Sequence, residues 1–479
     1  MTQGRSVTRP ATDIPVLAEA DVLVCGGGPG GCSAAVAAAR HGADVILLEK
    51  DGYLGGATVS QLVLVILSTN GVDFQGIWHE YARRLRVRDA IRPLEKSNSP
   101  QIRSAVDPEA VKYVWDDLLS EAGVRLLHHA HVSGCHVEDG VATTVFVETK
   151  AGTGAIRARR IVDATGDGVV CHHAGVPWEQ GDGEHAYAMA CTKVFRMGGV
   201  ERPKQWPDDL ALEKAAEELG AAIEREEFDA PVVTERGRWR GYARSWCWAL
   251  PDRRPELMSV LSRVLRTNPL DPWELTEAER EGREQARQGA EAYRRFMPGF
   301  ENAYLLDTSA HLGIRSSRRV CGIDAVTDDD AMGFTKRSDA IARSSWNIDI
   351  WPADSYSRAC VDKTSEEGER RQQLLREGEY FDIPYGATIA RGVDNLLMAG
   401  RCISAGHRAE SSLRIQQTCM STGEAAGVTA ALSLKQGVVP RELDSALVTA
   451  QLVTDRDVEP AFELLRGLPI APPLSGARG

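Results

Sequence analysis

The sequence predicts an α/β fold: a doubly wound parallel sheet assembled from both ends of the chain, interrupted by an inserted α+β region. Three observations carry this. Residues 22–25 (VLVC) are continuously apolar, run into the turn Gly26-Gly27-Gly28-Pro29-Gly30-Gly31, and are followed by an Ala-rich stretch to Arg40 and a second apolar run at 45–48. A short apolar segment, Ile161-Val162-Asp163-Ala164, breaks at Thr165-Gly166-Asp167-Gly168. Far downstream, Asn395-Leu396-Leu397-Met398-Ala399-Gly400 and an Ala-rich stretch from Thr422 repeat the strand-then-helix texture.

The first unit reads as a dinucleotide site. Gly26, Gly28 and Gly31 form G-x-G-x-x-G between an apolar strand and a helix, the Rossmann arrangement. The glycines supply a tight turn, bare backbone beside a pyrophosphate and close helix packing. The helix N-terminus, expected to open at Gly31, supplies free N–H groups and a positive dipole end for phosphates. Glu49 lies 23 positions beyond Gly26, at the strand end where a carboxylate accepts from ribose hydroxyls. Pro29 and Gly30 within the turn, and Lys50 beside Glu49, join the expected cofactor-binding set.

Later elements follow in order. Asp107-Pro108-Glu109 is an N-cap, a first-turn proline and an early acid, and predicts an amphipathic helix through Val111, Val114, Trp115 and Leu118 that stops at Gly123. Residues 124–132 read as a strand and 137–149 as a hairpin about Asp139-Gly140. From about Pro177 aromatic and charged residues dominate, with a helix expected from the capping box Thr276-x-x-Glu279 to Phe296. The expected organisation is a first nucleotide-binding part at 15–176, a substrate domain at 177–382, a second nucleotide-binding part at 383–440 and a helical tail at 441–479.

Composition narrows the function. The chain has 479 residues and a net charge of −12, so no global field draws it to nucleic acid or an anionic membrane. No signal peptide or spanning run is visible, and the ten cysteines contain no C-x-x-C, which reads as reduced thiols in a cytoplasmic protein. Disulfide-reductase chemistry and a second nicotinamide site are not expected: Gly152-Thr153-Gly154 and Gly181-Asp182-Gly183 lack a third glycine and a preceding buried strand. His128, His129 and His131 lie on an expected strand where only His129 and His131 share a face, and no third ligand of convincing spacing joins that pair, so no metal site is expected.

Together these blocks resemble the FAD-dependent oxidoreductase family of the glutathione-reductase-like flavoprotein superfamily. The matching residues are 21–56 ending in Leu54-Gly55-Gly56, the "ATG" segment 160–168, Gly313-Ile314-Arg315-Ser316-Ser317-Arg318-Arg319, and the C-terminal block from Ile383 through Gly400-Arg401 to Arg414 and Gly423-Glu424-Ala425-Ala426-Gly427. The likeness is thin over 200–274. It implies a discontinuous FAD domain in which Gly55 and Gly56 join the glycine turn and Val132 offers its backbone to the adenine. Thr165, Gly166 and Asp167 pass beneath the nucleotide, and Gly400 and Arg401 lie along the ribityl chain. A helix beginning near Gly423 aims its N-terminus at the flavin. No histidine follows Gly55-Gly56, so the FAD is expected to be non-covalent.

For chemistry, Arg315 and Arg318 read as carboxylate-gripping cations, or as structural pairs of Asp324 or Asp328. His407 reads as an acid–base residue and Arg414 as a further cation near the flavin. Tyr385 reads better as core, and Arg236, Arg238 and Arg240 as a solvated strand face. The expected function is oxidation of a small organic molecule by hydride transfer to flavin N5, with electrons leaving to oxygen or a partner carrier. One alternative is a flavin monooxygenase or halogenase, because Trp246-Cys247-Trp248-Ala249-Leu250-Pro251 nearly reproduces W-x-W-x-I-P. The other is an RNA-modifying flavoprotein, against which the negative charge argues.

Overall fold

The computed structural model describes residues 7, 10–93, 102–201, 209–229, 247–249, 255–354, 356 and 366–456. The arginines at 236, 238 and 240, Trp246, Leu250, Pro251 and the tail 472–479 lie outside them. The central strand is β1 (Val16–Cys25), parallel to β2 (Val45–Leu48) on one side, with Val22 opposite Val45. A separate three-stranded sheet is formed by β3 (Val65–Ser68), β4 (Ile91–Pro93) and β5 (Ile102–Val106), in the order β3-β5-β4. The main sheet then takes β6 (Arg125–Leu127) beyond β2, while the meander β7 (His131–Glu138), β8 (Val141–Thr149) and β9 (Gly152–Asp163) closes the other flank. Strand β9 is antiparallel to β8 and parallel to β1.

Further strands are β10 (Trp178–Gln180), β11 (Phe195–Gly198), β12 (Cys247–Ala249), β13 (Leu257–Ser259), β14 (Tyr304–Thr308), β15 (Arg318–Val320), β16 (Ala340–Ser344), β17 (Phe381–Pro384) and β18 (Leu396–Met398). Four of them make an antiparallel sheet in the order β12-β13-β11-β14. The helix Pro272–Phe296 lies against it, with Tyr293 and Phe195 sharing one core. Strand β18 pairs in parallel with β9, Leu396 opposite Ile161. The main sheet is therefore a Rossmann-type α/β sheet whose strands come from both ends of the chain.

Caps explain the helix limits. Asp107 accepts from the N–H groups of Glu109 (2.8 Å) and Ala110 (3.1 Å), and Gly123 turns left-handed at φ 79°, so the predicted helix is Pro108–Ala122. Asp139 and Gly140 both take positive φ, as a two-residue hairpin turn with the strand twist requires.

Four local expectations need correction. The helix expected from Thr276 begins at Pro272, because Asp271 accepts from the N–H groups of Trp273 and Glu274. The first helix begins at Pro29, not Gly31, with Gly28 as N-cap. The strand expected over 124–132 breaks into β6 and β7 at His129 (φ 54°), where Ala130 N–H donates to the Glu49 carbonyl; His128 and His129 therefore sit in a turn. The C-terminal helix runs Gln416–Gln436 and starts six residues before Thr422, whose hydroxyl instead accepts from Gly400 N–H.

The core beneath the glycine turn is a helix-on-helix contact. A Cβ at Gly423 would sit 2.0 Å from the Gly30 carbonyl oxygen, and one at Gly427 would sit 2.2 Å from that of Ala34. Only glycine lets Pro29–Arg40 and Gln416–Gln436 touch backbone to backbone. On the other sheet face, Leu23, Ile161 and Leu396 share a core with Val320, Ala342 and Phe381.

Candidate active site

A single cleft runs from the glycine turn to the four-stranded sheet. At its first end Gly26 has φ 107°, and a Cβ there would lie 2.4 Å from the Ala164 carbonyl oxygen, so the turn is pressed onto the end of β9. Gly28 is the opposite case: a Cβ there would meet nothing nearer than Gly56 Cα at 3.9 Å, leaving bare backbone facing the cleft. Gly55 N–H ties its loop to the Gly27 carbonyl (2.9 Å). Gly56 and Gly400 approach the turn from either side, and both line the cleft together with Pro29 and Gly30. Gly31 is within the helix and serves packing, since a Cβ would fall 1.8 Å from the Gly26 carbonyl oxygen.

Glu49 caps this end. Its carboxylate accepts from Gly27 N–H (2.7 Å) and Asp51 N–H (2.8 Å), and burial raises it above its ordinary value. Each oxygen keeps a lone pair for a further donor. Lys50 and Asp51 also line the cleft. Asp51 is bridged by His311 at 3.1 Å, a residue that sequence spacing did not connect to this site.

In the middle, Thr165, Gly166 and Asp167 face Gly400 and Arg401 across the cleft. Arg401 donates to Asp167 at 2.6 Å and to the Ser317 hydroxyl at 2.9 Å, and Ser317 donates to Asp167 at 2.7 Å. Burial pushes the Asp167 carboxyl up, but Arg401 and Ser317 outweigh it and hold the group below the usual carboxylate range.

The far end combines an apolar wall with a polar corner. Val63, Val65 and Leu67 stand with Val194, Met258, Val260 and Ile314, and beside them lie Thr192, Arg315, Asp349, Trp351 and Arg414. Thr192 and Gly313 form a β-bridge that sets Arg315 two residues on. Arg414 donates to the Asp349 backbone oxygen (3.0 Å) and carboxylate (3.2 Å), and Trp351 Nε1 donates to the same carboxylate (3.2 Å). The helix Gln416–Gln436 presents its N-terminus here, with Ile415 and Gln416 in the lining.

The predicted residues therefore divide. Arg315 and Arg414 meet at the far end. Arg318 does not join Arg315, because the segment is extended, not helical; its guanidinium donates to the Asp167 carbonyl (3.0 Å) and lies over Trp178. Neither pairs with Asp324, which takes Arg337, or with Asp328, which accepts from Arg408 and Ala409 N–H. His407 is not among the lining residues; burial, then Arg319, push it below its ordinary value, and its Nδ1 has no partner among the described residues. Val132 is buried on β7 opposite Val147 and is not among the lining residues, and Gly423 packs on Gly30 rather than starting a helix. Tyr385 is core, its hydroxyl bonded to the Pro440 carbonyl. Asp349, Trp351 and Thr192 were missed; the one signal was an acid inside the otherwise apolar run 348–351.

Among the described residues no cluster of three His, Cys, Asp or Glu side chains is placed to hold a metal, and no helix is long and apolar enough to cross a membrane.

Comparison with known proteins adds the following. The family described as FAD dependent oxidoreductase matches residues 21–452. A flavin-dependent halogenase of Aspergillus carbonarius is 30% identical over 129 residues, 26% of this chain and 25% of that protein. Another from Acremonium egyptiacum is 30% identical over 124 residues, 25% of this chain and 22% of that one. The chain thus spans about a quarter of the length of the curated relatives it matches. Among solved structures, p-nitrophenol 4-monooxygenase from Pseudomonas putida aligns over 93% of this chain and 92% of its own, at 12% identity and a TM-score of 0.43. A flavin-dependent brominase aligns over 91% and 84%, at 12% identity and a TM-score of 0.44.

Proposed function

Since the chain belongs to the FAD-dependent oxidoreductase family and takes FAD as its cofactor, we propose that it oxidises a small, largely apolar organic molecule held at the far end of the cleft. The observation that carries this is one continuous cleft, with the glycine turn and the buried Glu49 carboxylate at one end and an apolar wall with a polar corner at the other. The residues fit the cofactor: Gly28 leaves open backbone, and Glu49 keeps accepting capacity. Glu49 would hold ribose hydroxyls, the N–H groups at the start of Pro29–Arg40 the pyrophosphate, and Gly400 and Arg401 the chain between nucleotide and flavin. FAD when bound supplies the hydride acceptor at flavin N5 and passes the electrons on to oxygen or a carrier protein.

The chain's own residues do the rest. The N-terminus of Gln416–Gln436 places positive dipole at the far end, which favours negative charge developing there. Arg315 and Arg414 orient the substrate, the aliphatic wall excludes water, and Asp349, fixed by Arg414 and Trp351, accepts the substrate proton on its carboxylate. His407, expected as the base, lies outside the lining, so this reading gives Asp349 the role. The inserted region 177–382 supplies most of the wall and so the selectivity.

Anaerobic mixing with a panel of small apolar alcohols, amines and acids tests this. The oxidised flavin absorbance should bleach with one substrate class and without NAD(P)H. Bleaching by NAD(P)H alone would overturn it in favour of a second reading, a monooxygenase or halogenase using reduced FAD and oxygen. That reading is supported by the 30% identity to flavin-dependent halogenases and by the near match to W-x-W-x-I-P at residues 246–251.

A further inference from the structure

Among the described residues, one cation at the far end of the cleft has no ion-pair partner. Arg315 donates to the Ala190 carbonyl oxygen (2.5 Å) and the Thr192 hydroxyl (2.8 Å), both neutral, and no carboxylate pairs with it among the described residues. Its guanidinium lies 4.6 Å from the Trp351 ring centre, and that of Arg263 lies 4.2 Å from the same ring, so a second positive charge stands close by. Arg414 is a third, and the nearby acid Asp349 is already engaged by it. Burial, then Arg414 and Arg263, push Arg315 down from its ordinary value to about 9. Asp349 pulls the other way but is the smaller influence, so the cation is only partly compensated, and an anion seated against it would relieve the cost of its burial.

The shape of the rest limits that anion. Val65, Leu67, Val194, Met258, Val260 and Ile314 form a hydrocarbon wall. A planar guanidinium matches the two oxygens of a carboxylate. A doubly charged phosphate would be disfavoured by the Asp349 carboxylate next to the same corner.

We infer that the cleft selects an apolar organic acid, its carboxylate held by Arg315 and Arg414 and its hydrocarbon body laid on that wall. The inference rests on the proposed placing of substrate at the far end, and it narrows the substrate class.

The test is equilibrium binding to the FAD-loaded protein without turnover, read by calorimetry and by perturbation of the flavin spectrum. The probes are benzoate, its uncharged counterpart benzamide, and sodium bromide. Benzoate is expected to saturate, with benzamide at least about tenfold weaker. Arg315→Met should lose the benzoate preference while keeping FAD content and benzamide binding, and Arg315→Lys should recover part of it. Should Arg315→Met not fold, Thr192→Val, which removes one tether of the guanidinium, should weaken benzoate selectively. Equal affinity for benzoate and benzamide, or no binding of either, would overturn the inference. So would Arg315-dependent binding of bromide alone, which would mark a halide site. A protein that binds benzoate but oxidises no acid would defeat the oxidase reading and leave this one standing.

Discussion

Glu49 shows how much one side chain contributes to a site. Its carboxylate satisfies two backbone donors, Gly27 N–H and Asp51 N–H, that hold the glycine turn in shape. Leaving a buried donor unpaired costs about 1–3 kcal/mol. Glu49→Ala should therefore weaken FAD binding by roughly tenfold or more, measured by flavin fluorescence on titrating the apoprotein. This residue was legible from its spacing to Gly26, because strand, turn and strand have nearly fixed lengths. His407 was not. It opens the helix His407–Leu413 where a loop was expected, and its ring is buried under the influence of Arg319 and does not line the cleft, an environment set by neighbours remote in sequence. Its depressed value has a sign. The unfolded chain takes up a proton near pH 6.5 that the folded protein resists, so this contribution to stability is present above that pH and lost as pH falls through it. His407→Asn should accordingly flatten the fall in stability between about pH 6.5 and 5 relative to the parent, in urea unfolding followed at each pH.

At the scale of elements, Asp107, Gly123 and Asp139-Gly140 were read correctly, each acting through its own backbone or side chain, whereas the equally local cap Asp271 was missed in favour of Thr276. The start of the C-terminal helix was misread because a tertiary contact competes. Thr422 looks like a cap, but its hydroxyl accepts from Gly400 N–H, and the helix extends back to Gln416 to fill the space beside β3, where Gln416 donates to the Val63 carbonyl (2.7 Å). Gly423 and Gly427 then act as contact points between two helices. Gly427→Val should cost about 1–3 kcal/mol, the usual penalty for overpacking a closed contact, or more because the clash is with backbone. Thermal unfolding of the apoprotein reports it, with Lys435→Ala near the helix end as a control expected within about 0.5 kcal/mol.

For the whole molecule, the cleft takes its glycine turn from residues 26–30 and its opposing loop from Gly400 and Arg401, so cofactor binding couples the two ends of the chain. A ligand that binds only the folded state at a hundred times its dissociation constant adds about 2.7 kcal/mol. For a chain of this size that corresponds to a rise of a few degrees in Tm, and differential scanning fluorimetry with and without added FAD should show it. Hydrogen exchange should slow together at the Gly26–Gly31 turn and at Gly400, although they are distant in sequence. The sequence alone determined the Rossmann unit, the discontinuous sheet and the placing of the glycine turn and Glu49 at one end of the cleft. These depend on local rules, in which periodicity makes strands and helices and glycine spacing makes a phosphate turn. Tertiary structure decided the far end, where Arg315 parts from Arg318 and joins Arg414, Asp349 and Trp351. Those residues come from separate segments, and only the packing of those segments on one another brings their side chains to one corner.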